Sequence, residues 1–225
     1  MSSPIDPESK RTAEPETSPA AVPEPAARLA PSRPDRRAPA HLGRDRRQSA
    51  FDALRDRRSH SKVTEEAPDR KELERLLSAM NSVADHSSLR PWRIIELRGK
   101  ARKKLGKALA KACDGDKKKY IAKAKRAPLL LAIVVSPKKD KIPLWEQEAV
   151  ASGVAHFLGL LLDEAGWGSI WRTGSLTRTR PVHRAHGLEP HEYLLGWLYV
   201  GGVPERDRKP KPRKPLDLSK HLSAL

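Results

Sequence analysis

The sequence predicts an α+β domain, a sheet with helices around it, between an N-terminal tail and a basic C-terminal extension. Three observations predict it. Apolar runs of strand length ("WRIIEL", "LLLAIVV", "YLLGWLYVGG") are intermixed with segments of helical period. The two kinds do not alternate as regular βαβ units, which argues against a doubly wound parallel sheet. The prolines are segregated: of 20 in the chain, nine (Pro4, Pro7, Pro15, Pro19, Pro23, Pro25, Pro31, Pro34, Pro39) precede residue 50.

That proline-dense stretch mixes acids and bases with few large apolar residues. It cannot bury enough surface to offset its ordering entropy, so residues 1–47 are expected to be a disordered Pro/Arg-rich tail. A domain of ordinary size remains at 48–204, followed by a basic extension at 205–225. Cys113 is the sole cysteine, which excludes an intrachain disulfide and an intrachain thiolate cluster. The N-terminus carries no apolar signal core, and the longest uninterrupted apolar run, Leu129 to Val135, is too short to span a bilayer. A soluble cytoplasmic protein is the expectation.

The first element is a short helix within 48–58, with Ala50, Phe51 and Leu54 on one face, ending in "RDRRSHSK". The second spans Pro68 to Val83, capped by Asp69, with Leu73, Leu76, Leu77 and Met80 as its apolar stripe. Pro91 forbids continuation and "WRIIEL" follows as a strand. Residues 100–126 are helical and basic, with a break at Asp114–Gly115. "LLLAIVV" is apolar at every position, as in a strand covered on both faces. Trp145 to Ala165 is the most apolar helix, and His156 within it reads as a packed core histidine. Ser152, Ala155 and Gly159 give this helix a small-residue face that admits a close neighbour, either in its own core or in a symmetric partner. The strand "GSIWRTG", a helix near Thr179 to His186 and the strand "YLLGWLYVGG" complete the domain.

The positive charge is concentrated. Of the formal net +17, eleven units lie between Arg98 and Arg126, where thirteen Lys or Arg face only Asp114 and Asp116. Such a block suits a polyanion, a field that steers anionic small molecules, or simply a solvated helix face.

There is no Walker-type loop, no GxGxxG after a strand, no HExxH and no GxSxG. His183, His186 and His191 lack a supporting carboxylate pattern, and no metal site is assigned. Glu146 and Glu148 stand at a helix start, where acids favour the macrodipole; an acid/base pair is the other reading. Three segments suit a ligand. In "RRSHSK", Arg57, Arg58, Ser59 and Lys62 offer two guanidiniums, a hydroxyl and an ammonium, as a phosphate monoester requires; a basic helix end complementing its own dipole is the alternative. In "ADHSSLRPW", polar groups crowd a turn before a strand. In "GWGSIWRTG", Gly166 and Gly168 permit close backbone approach, while Trp171 and Arg172 offer a flat face and a cation to a planar anionic ring, or Trp167 and Trp171 are core.

These segments, in this order and spacing, resemble the nitroreductase family, in particular its short single-domain YdjA-like branch. The resemblance runs from about Asp52 to Gly202 and rests on "RRS", "DH" four residues before "PW", "RAPLLLAIVV", "WEQE" and "GSIWRTGSLT". It implies a central mixed sheet flanked by helices, and a homodimer with FMN at the interface. It also implies NAD(P)H as electron donor and nitroaromatic or quinone-like acceptors in a ping-pong cycle. By the same resemblance Arg57, Arg58 and Ser59 match the phosphate side of the FMN site, Lys62 a basic position nearby, and His86 a residue reaching in from the partner chain. Trp171, Arg172 and Thr173 match the strand lining the ring, with Arg172 as an electrostatic stabiliser; no side chain acts as nucleophile. Ser82 departs from the pattern, since relatives commonly carry arginine there. A redox-inactive, polyanion-binding version of the fold, using residues 98–126 on nucleic acid, is the alternative; a flavin-sequestering version is a third.

Overall fold

The computed structural model describes residues 49–139, 141–205 and 213–225; the tail expected at 1–47 and residues 206–212 of the extension lie outside the described residues. In chain order the elements are α1 (Ala50–Asp56), α2 (Arg70–Ser78), β1 (Trp92–Leu97), α3 (Gly99–Ala112), α4 (Lys117–Ala124), β2 (Leu129–Val135), α5 (Leu144–Glu164), β3 (Trp167–Arg172), α6 (Arg180–His186) and β4 (Tyr193–Gly202). Short 3₁₀ turns at Ala79–Ser82, His86–Ser88 and Ser175–Arg178 connect them.

The sheet runs β1-β2-β4-β3. Each of these pairings is antiparallel, which narrows the expected mixed sheet; the parallel component is an isolated bridge between Ser59 and Ser169. The connections explain this. β1 returns as β2 through the α3–α4 hairpin and β2 is separated from β3 by α5, so β4 can enter between β2 and β3 opposed to both.

β2 shows why an all-apolar strand is required at the centre. Leu129, Leu131 and Ile133 pack toward α2 and α5, while Leu130, Ala132 and Val134 pack toward α3 and α6. Period-two alternation between two apolar clusters leaves no face for a polar residue. Each large side chain so buried contributes about 1.5–3 kcal/mol.

Asp69 caps α2 by accepting from the Glu72 N–H at 2.7 Å. The α-helix ends at Ser78 rather than near Val83 and continues as a tighter 3₁₀ turn, a common way to finish a helix. Met80 stays buried through that turn. On α5, Ala155 is buried, and a Cβ at Gly159 would meet Leu198 and Ser169 at about 4 Å. This part of the small-residue face therefore lets α5 lie close on its own sheet, which is the same-core reading. His156 is exposed and meets Trp171 edge-on at 5.1 Å, which corrects its assignment to the core. The apolar face of α1 is also uncovered, with Phe51 73% and Leu54 60% exposed. Trp145 and Phe157 of α5 are likewise open, at 70% and 50%. No helix among the described residues is long and apolar enough to cross a membrane.

Candidate functional site

β3 is an edge strand, and the segment after α1 runs along its free side. Arg57 closes α1 by donating its N–H to the Ala53 carbonyl at 2.9 Å, then the chain extends. Ser59 bridges Ser169, and the His60 N–H donates to the Ser169 carbonyl at 2.8 Å. Further on, the Thr64 N–H donates to Gly202 O and the Gly202 N–H to Glu66 O, both at 2.9 Å. Glycine is needed for this crossing. A Cβ at Gly201 would lie 2.7 Å from Thr64 O, and one at Gly168 would lie 3.2 Å from His60 Cβ. The close approach at Gly168 is thus made by the chain's own 60–64 segment, which corrects its assignment to a ligand.

The cations of this segment divide into two jobs. Arg58 Nη1 donates to the carbonyls of Arg55, Asp56 and Arg57 at 2.8, 2.8 and 3.0 Å, closing the C-terminal end of α1 as the dipole reading expects. Arg57 Nη1 points to Ser59 Oγ at 3.5 Å, a long contact. Burial pushes the Arg57 guanidinium below its ordinary value, and the positive charges of Arg213 and Arg58 act in the same direction against Asp163. Arg213 arrives from the C-terminal extension and donates to the Arg57 carbonyl. Three guanidiniums and a hydroxyl therefore meet at one place, and an anion there would relieve their repulsion. Lys62 is exposed nearby in the chain. Arg213 was not singled out from the sequence. Its only signal was the composition of "KPKPRKPL", which carries no spacing.

The Ser59 bridge lies two positions before Trp171 on β3, about 7 Å along the strand. Trp171 packs toward α5, whereas the Arg172 guanidinium lies 5.4 Å above the Tyr199 ring in the opposite cluster. The strand period therefore sends the flat face and the cation to different sides, and the two do not clamp one plane together. Trp171 Nε1 and Arg172 Nε are both buried without a hydrogen-bond partner. The two orphaned donors face opposite sides of the strand, and Trp171 Nε1 lies against β4, 2.9 Å from where a Cβ at Gly196 would stand, so they do not converge on one ligand. Thr173 follows them, exposed.

The "ADHSSLRPW" turn is built with strain. Ser87, Ser88 and Arg90 all have left-handed backbone, at φ of 56°, 52° and 48°. Asp85 Oδ2 accepts from the Arg90 N–H at 2.6 Å, and Arg90 Nη2 donates to Asn81 Oδ1 at 2.8 Å. A guanidinium is thereby anchored one residue from Ser82. These groups, with Met80, Val83 and Trp92, line a small cleft of about 110 Å³. His86 is largely exposed, and its Nδ1 meets Glu146 Oε2 at 3.1 Å at the start of α5. Glu148 instead accepts from Tyr193 Oη at 2.9 Å and pairs with Arg178 at 3.3 Å.

α5 then sets a distance. Glu146 holds His86 near its first turn, while Asp163 accepts from the Arg58 N–H at 3.4 Å in its last. The helical rise separates these anchors by about 25 Å. One chain brings Arg57, Ser59, Arg213 and the β3 end together but leaves His86 at the far end of α5.

The profile of the nitroreductase family matches residues 54–202. The chain belongs to the nitroreductase family. It is 33% identical over 159 residues to YdjA of Escherichia coli (strain K12), whose name reads "Putative NAD(P)H nitroreductase", across 68% of this chain and 87% of that one. A similarly named protein of Haemophilus influenzae is 27% identical over 169 residues, covering 71% and 92%. Among solved structures, a nitroreductase-like family protein from Bacillus cereus superposes with a TM-score of 0.67 at 20% identity, covering 79% of this chain and 96% of that one. The FMN and NADPH-dependent nitroreductase NfnB of Sphigopyxis sp. strain HMH does so with 0.64 at 20%, covering 79% and 99%. The nitroreductase fold and the YdjA-like branch are thus shown, and family membership makes the chain an oxidoreductase.

Proposed function

We propose that the chain is a homodimeric, FMN-dependent oxidoreductase that takes electrons from NAD(P)H and gives them to nitroaromatic or quinone-like acceptors. Bound FMN would supply the hydride-transfer chemistry between NAD(P)H and an acceptor that would use the same site in turn, which would give ping-pong kinetics. The protein's part is to hold and polarise. Arg57, Ser59 and Arg213 would bind the phosphate, with Lys62 adding positive charge, while Arg58 fixes the end of α1 beneath them. At the β3 end Thr173 would offer an exposed donor and Trp171 an apolar wall, and Arg172 would stabilise negative charge on the ring system by fixed electrostatics.

The observation that carries the dimer is the length of α5. His86 lies some 25 Å along that helix from the Arg57 cluster, so both can serve one flavin only if they come from two chains. The exposed Phe51, Leu54, Trp145 and Phe157 give a second copy an apolar surface to cover. The test is direct. The purified protein should be yellow, release FMN on denaturation, sediment as a dimer, and give parallel lines in double-reciprocal plots with NAD(P)H and a quinone. A colourless monomer would overturn the proposal.

A further inference from the structure

We propose that the outer face of the α3–α4 hairpin binds the phosphate backbone of double-helical nucleic acid, a function separate from the redox site. Lys100, Lys103, Lys104, Lys107 and Lys111 form one exposed stripe along α3, while Leu105, Leu109 and Ala110 are buried behind it. Lys117, Lys118, Lys119, Lys125 and Arg126 are exposed on and just after α4. The two helices form a firm platform, because a Cβ at Gly106 would lie 2.5 Å from Ile121 Cα; they meet backbone to backbone. Neither helix contains an acid, and Asp116 is committed to capping α4 through the Lys119 N–H at 2.5 Å. Among the described residues none of these ten cations forms an ion pair. The repulsion is left to mobile counterions, whose release on binding a polyanion is favourable.

The chemistry of the face narrows the partner. No exposed large apolar side chain lies between residues 98 and 126, whereas a helix resting on lipid needs an apolar side to insert. Tyr120 is the lone aromatic there, half-buried with Lys123 Nζ 4.5 Å from its ring centre, so no stacking platform for single-stranded bases exists. Lys100 to Lys111 spans about 16 Å, roughly five phosphates of one duplex strand. The exposed stripe of α3 is lysine throughout, Arg102 being turned to the Ala127 carbonyl and Arg126 standing alone beyond the end of α4; lysines position a backbone and do not read bases, so binding should be independent of sequence.

The experiment is fluorescence anisotropy of the full-length protein with two unrelated 20-bp DNA duplexes, an RNA duplex, a single strand and anionic vesicles. Expected are equal affinities for the two DNA duplexes, about 10⁻⁴–10⁻⁶ M at physiological salt, with a log–log salt slope of about −4. The RNA arm tells which duplex is preferred, and binding to either supports the proposal. Changing Lys100, Lys103, Lys104, Lys107 and Lys111 to Gln should weaken duplex binding at least tenfold and flatten the slope. A charge-matched control with Lys71, Lys139, Lys141, Lys214 and Lys220 changed to Gln should alter it less than threefold. Absence of duplex binding, equal losses in both variants, or tighter binding to the single strand or the vesicles would overturn the proposal.

Discussion

If Arg57 grips the phosphate of FMN as proposed, replacing it with alanine should separate that contact from every other part of flavin binding. The guanidinium is half-buried, with Arg213 and Arg58 as like-charged neighbours, and its side-chain contact to Ser59 is long at 3.5 Å. It is therefore poised to donate to an anion. A charge-assisted hydrogen bond of this kind contributes about 1.5–3 kcal/mol, which corresponds to roughly 10- to 150-fold in the FMN dissociation constant. Riboflavin differs from FMN only by the phosphate, so its affinity should barely change. Arg213→Ala should show the same selectivity. The double variant should lose less than the product of the two single effects, because removing either cation also relieves repulsion on the other. The assay is quenching of flavin fluorescence on titration into apoprotein, with both ligands and all three variants. Equal losses for FMN and riboflavin would refute the reasoning and make Arg57 a structural residue of the α1 terminus. Selectivity in Arg57→Ala but not in Arg213→Ala would remove the C-terminal extension from the site and leave the rest standing.

Three other outcomes are expected. Glu192 is buried and accepts from Arg93 Nε and Nη2 at 2.7 and 2.6 Å, which holds its carboxyl down to about 2 from an ordinary 4.5. Because the folded value is depressed, this stabilisation, about 3 kcal/mol, is complete above pH 4.5 and lost as pH falls toward 2; urea unfolding across that range should lose this acid limb in Glu192→Gln. His186 Nε2 accepts from Trp197 Nε1 at 3.0 Å while Nδ1–H donates to Val182 O at 2.8 Å, so only the neutral ring satisfies both, and burial lowers its value below 6.5. The unfolded ring protonates first, so stability should fall as pH drops below 6.5, and Trp197→Phe should lessen that slope; an unchanged slope would mean that the indole bond does not select the tautomer. Phe157→Glu places a charge on the open face of α5, and sedimentation should show a half-sized, flavin-poor species; a yellow dimer would mean the partner docks elsewhere.

Much of the fold was legible because its signals are local. Three strands begin and end where their apolar runs do, and the α3–α4 break falls at Asp114, with φ of 48°, and Gly115. Strand order was not legible: that β4 lies between β2 and β3 depends on β2–β4 partners 58 to 71 residues from one another in the chain. His156 shows a second limit. Its apolar neighbours make it look interior, yet helical period turns it away from Ala155 and Gly159 onto an open face.

The site divides along the same line. Arg57, Ser59 and the residues of the β3 end are few positions apart within their segments, and one backbone bridge, Ser59 to Ser169, joins the two segments. Arg58 shows why residue type alone is insufficient. It stands beside Arg57 with the same side chain, but three carbonyls of α1 claim one of its nitrogens, and its sequence context contains nothing to separate the two. Trp171 and Arg172 show the converse: consecutive residues of a strand point to opposite faces, so this adjacent pair does not clamp one ligand plane together. His86 completes the argument. Only the rigid length of α5 makes its position an argument for the proposed second chain, and this is a property of a helix 21 residues long, not of any motif within it.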